Sequence, residues 1–128
     1  MPQVHYPFID VAVHPAVRQR FAAGDAVVLF SRDMGDVLWA NGEGARLFGH
    51  RAIYDLIERG PERGGVAFRQ LAAAAAQLAI VGDKRRFTMR ITSGFKSSAV
   101  QAEVGLLTVG HEETVLFSAP AANANAGL

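Results

Sequence analysis

No cysteine occurs among the 128 residues of the chain. That excludes disulfides, thiolate nucleophiles and cysteine-ligated zinc, and with them any flavin–cysteinyl photochemistry. Long apolar runs are missing too. None approaches the about 20 residues that a membrane-crossing helix needs, so direct membrane insertion is not expected, and no secretory signal peptide is visible. The expected location is cytoplasmic, either for a free protein or for a soluble piece of a membrane-anchored parent. An excess of charge is also lacking. Thirteen Lys and Arg against 12 Asp and Glu leave a formal net charge of +1, too little to gather nucleic acid. The basic run Lys84-Arg85-Arg86 is too short for a nucleic-acid stripe and reads as a solvated turn.

What is present suits one folded domain. Half of the residues are apolar, and the length allows a real core. Pro15 can occupy the first turn of a helix that runs from Ala16 to Ala23 and ends at Gly24. Val13, Val17 and Phe21 form a four-residue stripe on it. Ala26 to Ser31 and Asp36 to Ala40 read as strands around the turn Arg32-Asp33-Met34-Gly35. Asn41 is placed to cap a short helix, its side-chain oxygen taking a free amide of the first turn, and Gly49 suits the left-handed close. Ala45 and Phe48 share one face of that helix and Arg46 points elsewhere. Ala52 to Arg59 predict another short helix, stopped by Gly60-Pro61, and Glu62 to Gly65 a link. The helical period of Phe68, Leu71, Ala72, Ala75, Leu78 and Ala79, with five alanines in a row, predicts the longest helix over Val66 to Ile80. After Gly82-Asp83, strict alternation from Arg86 to Thr92 puts Phe87, Met89 and Ile91 on one face of a strand. Val100, Ala102, Val104 and Leu106 alternate in the next, and Thr114 to Ser118 form the last.

Two strands joined by a tight turn, delivering Asn41 into a helix closed by Gly49, resemble the entry of a PAS domain. Over Gly24 to Ser118, the order of two strands, helices and three further strands is similar to that family throughout. The resemblance implies an α+β fold, with a five-stranded antiparallel sheet, helices packed on one face enclosing a pocket, and an N-terminal flanking helix. It divides the chain into a segment and flanking helix at 1–23, the PAS domain at 24–118, and a linker or appended tail at 119–128. The Asp-Ile-Thr-like ending common after the last strand in that family is replaced here by Phe117-Ser118-Ala119-Pro120. The style of the string resembles cell-cycle sensor histidine kinases of the DivJ, PleC and PdhS type.

Sites for chemistry are hard to assemble. A haem-binding PAS domain would need an imidazole on the longest helix, and Val66 to Ile80 contain none. His5, His14, His50 and His111 show no metal-ligand spacing and read as surface or turn residues. His111-Glu112 has the look of a phosphoacceptor dipeptide but enters a strand. Gly42 and Gly44 lack the Lys-Ser/Thr of a phosphate loop, and Gly64-Gly65 read as plain loop. Ser31, His50 and Asp55 carry no nucleophile motif. Asp33, Asp36 and Glu43 suit turns and a first helical turn.

The remaining candidate is an apolar space between the long helix and the sheet, lined by Trp39, Phe68, Leu71, Phe87, Met89 and Phe117. Such a set serves a core more often than a cofactor, and no cofactor, flavin, haem or metal is expected. The resemblance implies a sensory or protein-interaction module of a signalling protein, non-catalytic itself, which acts through changes in helix packing or dimer pairing. The alternative is a sensor holding a small apolar metabolite in the pocket, and a small α+β enzyme is a distant third. Expected partners are a second copy and other signalling proteins such as a kinase domain or response regulator. Val13, Val17 and Phe21 are expected to face either their own sheet or a second copy, and with Leu107 and Leu116 they are the candidate dimer contacts, on the reading that apolar surface is left on the sheet's outer face.

Overall fold

The computed structural model describes residues 11–93 and 96–120. Its helices are α1 (Pro15–Ala22), α2 (Gly42–Leu47), α3 (Ile53–Arg59) and α4 (Val66–Ala75), and its strands are β1 (Ala26–Ser31), β2 (Val37–Ala40), β3 (Lys84–Ser93), β4 (Lys96–Val109) and β5 (Glu112–Ala119). The strands form one five-stranded sheet in the order β2-β1-β5-β4-β3, every neighbouring pair antiparallel. The expected sheet is therefore present, and β5 closes it by sliding between β1 and β4.

Alternation along the strands builds two cores. Val28, Phe30, Met89, Val104, Leu106, Val115 and Phe117 point to the inner face, where Leu56 of α3 and Phe68, Leu71 and Ala75 of α4 cover them. Val27, Leu29, Trp39, Leu107, Val109 and Leu116 point outward and pack with Val11 and with Val17 of α1. Strand β1 is buried on both faces, as its unbroken apolar run requires.

Strand β2 departs from simple alternation. Leu29 pairs with Trp39, but Phe30 pairs with Val37, which leaves Leu38 as an extra residue. That β-bulge reverses the faces of the strand on either side of it. Val37 enters the inner core while Trp39 enters the outer one.

Several predicted boundaries shift, most by one or two residues and three with consequences. α4 ends at Ala75, not Ile80. The alanine run carries no stop signal, and tertiary bonds supply one. Amides of Gln77 and Leu78 turn back tightly to Ala74 and Ala75, Arg32 donates to the Leu78 carbonyl, and the Asp83 carboxylate accepts from the amides of Ala79 and Ile80. β3 begins at Lys84, so Lys84-Arg85-Arg86 is strand and not turn; its exposure to solvent is as expected. The last strand runs through Ala119, where the tail was expected to begin; residues 1–10 and 121–128 lie outside the described part.

Of the two placements expected for its stripe, the N-terminal helix takes the one against its own sheet. Leu107 and Leu116 are only 8% exposed and Val17 is fully buried, because α1 lies over the outer sheet face of its own chain. Phe21 rests on Trp39 with ring centroids 6.1 Å apart. Val13 is exposed. Arg20 anchors the helix through an ion pair with Glu103 of β4, and His14 both caps it, accepting from the Ala16 amide through Nδ1, and reaches the Thr108 carbonyl with Nε2.

Candidate functional site

Asn41 sets up the inner face. It is buried, and its Oδ1 accepts from the amide of Gly44, 2.8 Å away, and from the amide of Val27 in β1, 3.0 Å away. Its Nδ2 donates to the Asp25 carbonyl at 2.7 Å. The side chain is thus a brace between the start of β1 and the first turn of α2, more than the helix cap read from sequence. Gly44 makes the brace possible. A Cβ there would lie 2.5 Å from the Val27 carbonyl oxygen and 2.8 Å from a Val28 methyl, so only glycine lets α2 sit this close to β1.

Helix α2 then delivers Phe48 into a chain of phenylalanines. Phe48 meets Phe117 at 5.4 Å and Phe30 at 6.4 Å between centroids, Phe30 meets Phe68 at 6.5 Å, and Phe87 meets Phe117 at 6.5 Å. These rings, with the fully buried Leu71 and Met89, belong to one packed cluster between the helices and the sheet, the phenylalanine plug. Five of the six predicted lining residues, Phe68, Leu71, Phe87, Met89 and Phe117, come together here. Trp39 does not, because the bulge at Leu38 sends it to the outer core.

Open space lies to one side of this plug. A cleft of about 560 Å³ runs between α2, the α3–α4 link, α4 and the middle of β3. Phe48, Phe68 and Ile91 give it an apolar floor, and Arg46, Glu62 and Arg90 line it with charge. Arg46 is paired with Glu43; Arg90 donates to Ser97 Oγ at 3.2 Å. Beside the cleft, Arg63 places its guanidinium 5.0 Å above the Phe68 ring and donates to the carbonyls of Met34 and Gly35 at 2.9 and 2.7 Å. It ties the β1–β2 turn, where Met34 has a positive φ of 66°, to the link before α4.

Solved structures share this arrangement. The PAS domain of an HTR-like protein from Haloarcula marismortui superposes with a TM-score of 0.58, covering 87% of this chain and 91% of that one at 10% identity. The chain has the PAS fold. The PAS domain of BvgS from Bordetella pertussis matches with a TM-score of 0.50 over 80% of this chain and 79% of that chain, at 16% identity. In sequence, this PAS domain is related to part of the cell-division control histidine kinase PdhS. It is 35% identical to the Brucella anthropi protein over 104 residues, 81% of this chain and 10% of that one. The Brucella ovis and Brucella abortus proteins are 44% identical over 72 residues, 56% of this chain and 7% of theirs. The chain thus spans about a tenth or less of the length of the curated relatives it matches. No family model matches the sequence.

Within the PAS domain, Ser31 and His50, considered for catalysis, are each held by local partners. Ser31 Oγ donates to Asp33 Oδ1 at 2.7 Å and accepts from the Asp36 amide at 2.9 Å. His50 Nε2 contacts the Gly60 carbonyl at 3.0 Å, joining the ends of α2 and α3. His111 is exposed in the β4–β5 turn. Among the described residues no group of three or more His, Asp or Glu could hold a metal ion, and no helix is long and apolar enough to cross a membrane. Hydrogen bonds from Ser31 and the Gly35 amide hold the Asp33 carboxyl below its usual range, and amides of Ala79 and Ile80 do the same for Asp83. Burial pushes Asp25 up, against the pull of Arg20. All three are structural acids. The sequence reading missed Gly44, Arg63 and the His14 cap. A glycine three residues after Asn41 was a usable signal for the first, since it marks a helix start pressed on a strand; Arg63 carries none.

Proposed function

We propose that this PAS domain is a sensory and docking module of a PdhS-like cell-cycle histidine kinase, and that it passes its signal on as a change in helix packing or in pairing with a second copy. The observation that carries the reading is the 35% identity to PdhS over 104 residues. The phenylalanine plug supports a module that reads partners or packing, because it couples α2, α4 and the sheet through direct ring contacts. The domain is non-catalytic in this reading, acts in the cytoplasm, and meets other signalling proteins such as a kinase domain or response regulator. The PAS unit is 24–118 with the flanking helix before it, and no cofactor takes part.

The test is a chimera. The matching segment of a Brucella PdhS is replaced by this chain, and separately by an unstructured linker of equal length. Autophosphorylation of the chimera should resemble the parent kinase and differ from the linker version. Equal behaviour of the two replacements would refute the reading. A second reading follows from the open cleft: a small, largely apolar metabolite lying against Phe48, Phe68 and Ile91. Native mass spectrometry of the freshly purified domain would show such a ligand as a discrete added mass.

A further inference from the structure

A second concavity lies on the outer face, under α1. Its volume is about 160 Å³, below the about 300 Å³ at which small-molecule sites begin and suited to one aliphatic side chain. Gly105, Leu107 and Leu116 form its base, with Ala16 of α1 and Val81 at its sides. Arg20, Lys84, Asp83 and Glu103 also line it, which gives it charges of both signs. Next to it, the α4–β3 loop holds out two large aliphatic side chains, Ile80 at 68% and Val81 at 48% exposure.

This loop is held in place. Asp83 Oδ2 accepts from the amides of Ala79 and Ile80 at 2.7 and 3.0 Å. The Asp83 amide returns to the Ile80 carbonyl, the Gly82 amide donates to the Leu106 carbonyl, and the Leu106 amide donates to the Asp83 carbonyl. Gly82 permits the bend with a φ of 103°.

We propose that the loop and the pocket are the two halves of a self-association site, with Ile80, the knob of one copy, seated in the pocket of a second. The inference rests on the reading that the domain pairs with itself, and it gives that pairing a surface other than the helix stripe expected from sequence. Three observations carry it. A two-fold interface uses one patch twice, so a knob must lie beside its hole, and Val81 is both a wall of the pocket and a neighbour of Ile80. The mixed charges suit a second copy, since a two-fold rotation can bring Lys84 opposite Asp83; nucleic acid or an anionic membrane would call for one sign. The loop's hydrogen bonds fix the knob in advance, which lowers the entropy lost on docking.

The absence of cysteine provides the test. Ile80→Cys and Gly105→Cys are made in separate chains, mixed and oxidised. At Gly105 a Cβ would meet the Lys84 side chain at 3.5 Å and the Asp83 carbonyl at 3.6 Å, ordinary contacts. The mixed disulfide should form faster than one between Ile80→Cys and Tyr54→Cys, an exposed control on α3. Ile80→Ser removes the knob and Gly105→Val fills the hole. Each should weaken dimerisation in sedimentation by about tenfold or more, with urea unfolding showing that both variants remain cooperatively folded. A wild type that stays monomeric at every concentration would overturn this site together with the pairing reading. A dimer indifferent to both variants, with mixed crosslinking no faster than the control, would overturn this site and leave the pairing reading standing.

Discussion

Replacing Asn41 with alanine removes one side chain that serves three backbone groups. Loss of the cap on the Gly44 amide costs about 1 kcal/mol, the usual figure for a helix N-cap. The Val27 amide, inside a fully buried part of β1, is left without this acceptor, which adds about 1–3 kcal/mol. The expected loss is therefore about 2–4 kcal/mol, enough to lower the midpoint of thermal unfolding of a domain this size by about 10 °C. Trp39, the single tryptophan, is 3% exposed in the outer core and reports unfolding in urea by fluorescence. The transition should move to lower urea with its slope unchanged, the mark of a stability change without a change in the exposed surface. Asn41→Ser should lie between the two, because a hydroxyl can cap α2 but cannot also donate to the distant Asp25 carbonyl. If Asn41→Ala loses less than about 1 kcal/mol, the brace is only a cap and the structural reasoning fails.

Gly44→Ala should destabilise by about 1–3 kcal/mol, despite alanine's higher helix propensity, because its Cβ meets the Val27 carbonyl and the Val28 side chain; a variant as stable as wild type in urea would contradict the close approach. Arg63→Ala should cost about 1–2 kcal/mol and speed hydrogen exchange in the Arg32–Asp36 turn, while unchanged exchange there would deny the clamp. Asp33 and Asp83 have folded-state pKa values below their unfolded ones. Their contribution is present above the unfolded pKa and is lost as pH falls through the folded one, so stability should fall below about pH 4. The raised Asp25 works in the opposite direction. Thermal midpoints of Asp33→Asn/Asp83→Asn should depend less on pH in that range than those of the wild type, and parallel curves would remove both acids from the account.

Much of the fold is legible because its causes are local. Alternation at Phe87, Met89 and Ile91 and at Val100 to Leu106 marked the middles of β3 and β4, whose ends lie further out, and Gly24, Gly49 and Gly60 take the positive φ their places at helix ends imply. What was not legible depends on residues far apart in the chain. The end of α4 is set by Arg32 and Asp83, neither of which belongs to the alanine run. Of the candidate pocket, the apolar composition was visible but not the ring contacts, since the meeting of Phe30, Phe48 and Phe117 requires the sheet order. The cleft lay beyond sequence for the same reason: its walls come from α2, α4 and β3.

The bulge at Leu38 makes the length of β2 matter more than its composition. Because one extra residue separates Val37 from Trp39, deleting Leu38 would restore plain alternation and set the two side chains on the same face. Either the tryptophan would be driven into the phenylalanine plug, or Val37 would leave it. Substitution at Leu38, which is partly buried beside the outer core, changes a local contact, whereas deletion changes the frame of the strand. Libraries that vary strand length should therefore find β2 intolerant where libraries of point changes find it permissive, and homologues aligned across this hairpin should be matched by facing direction before they are matched by residue type.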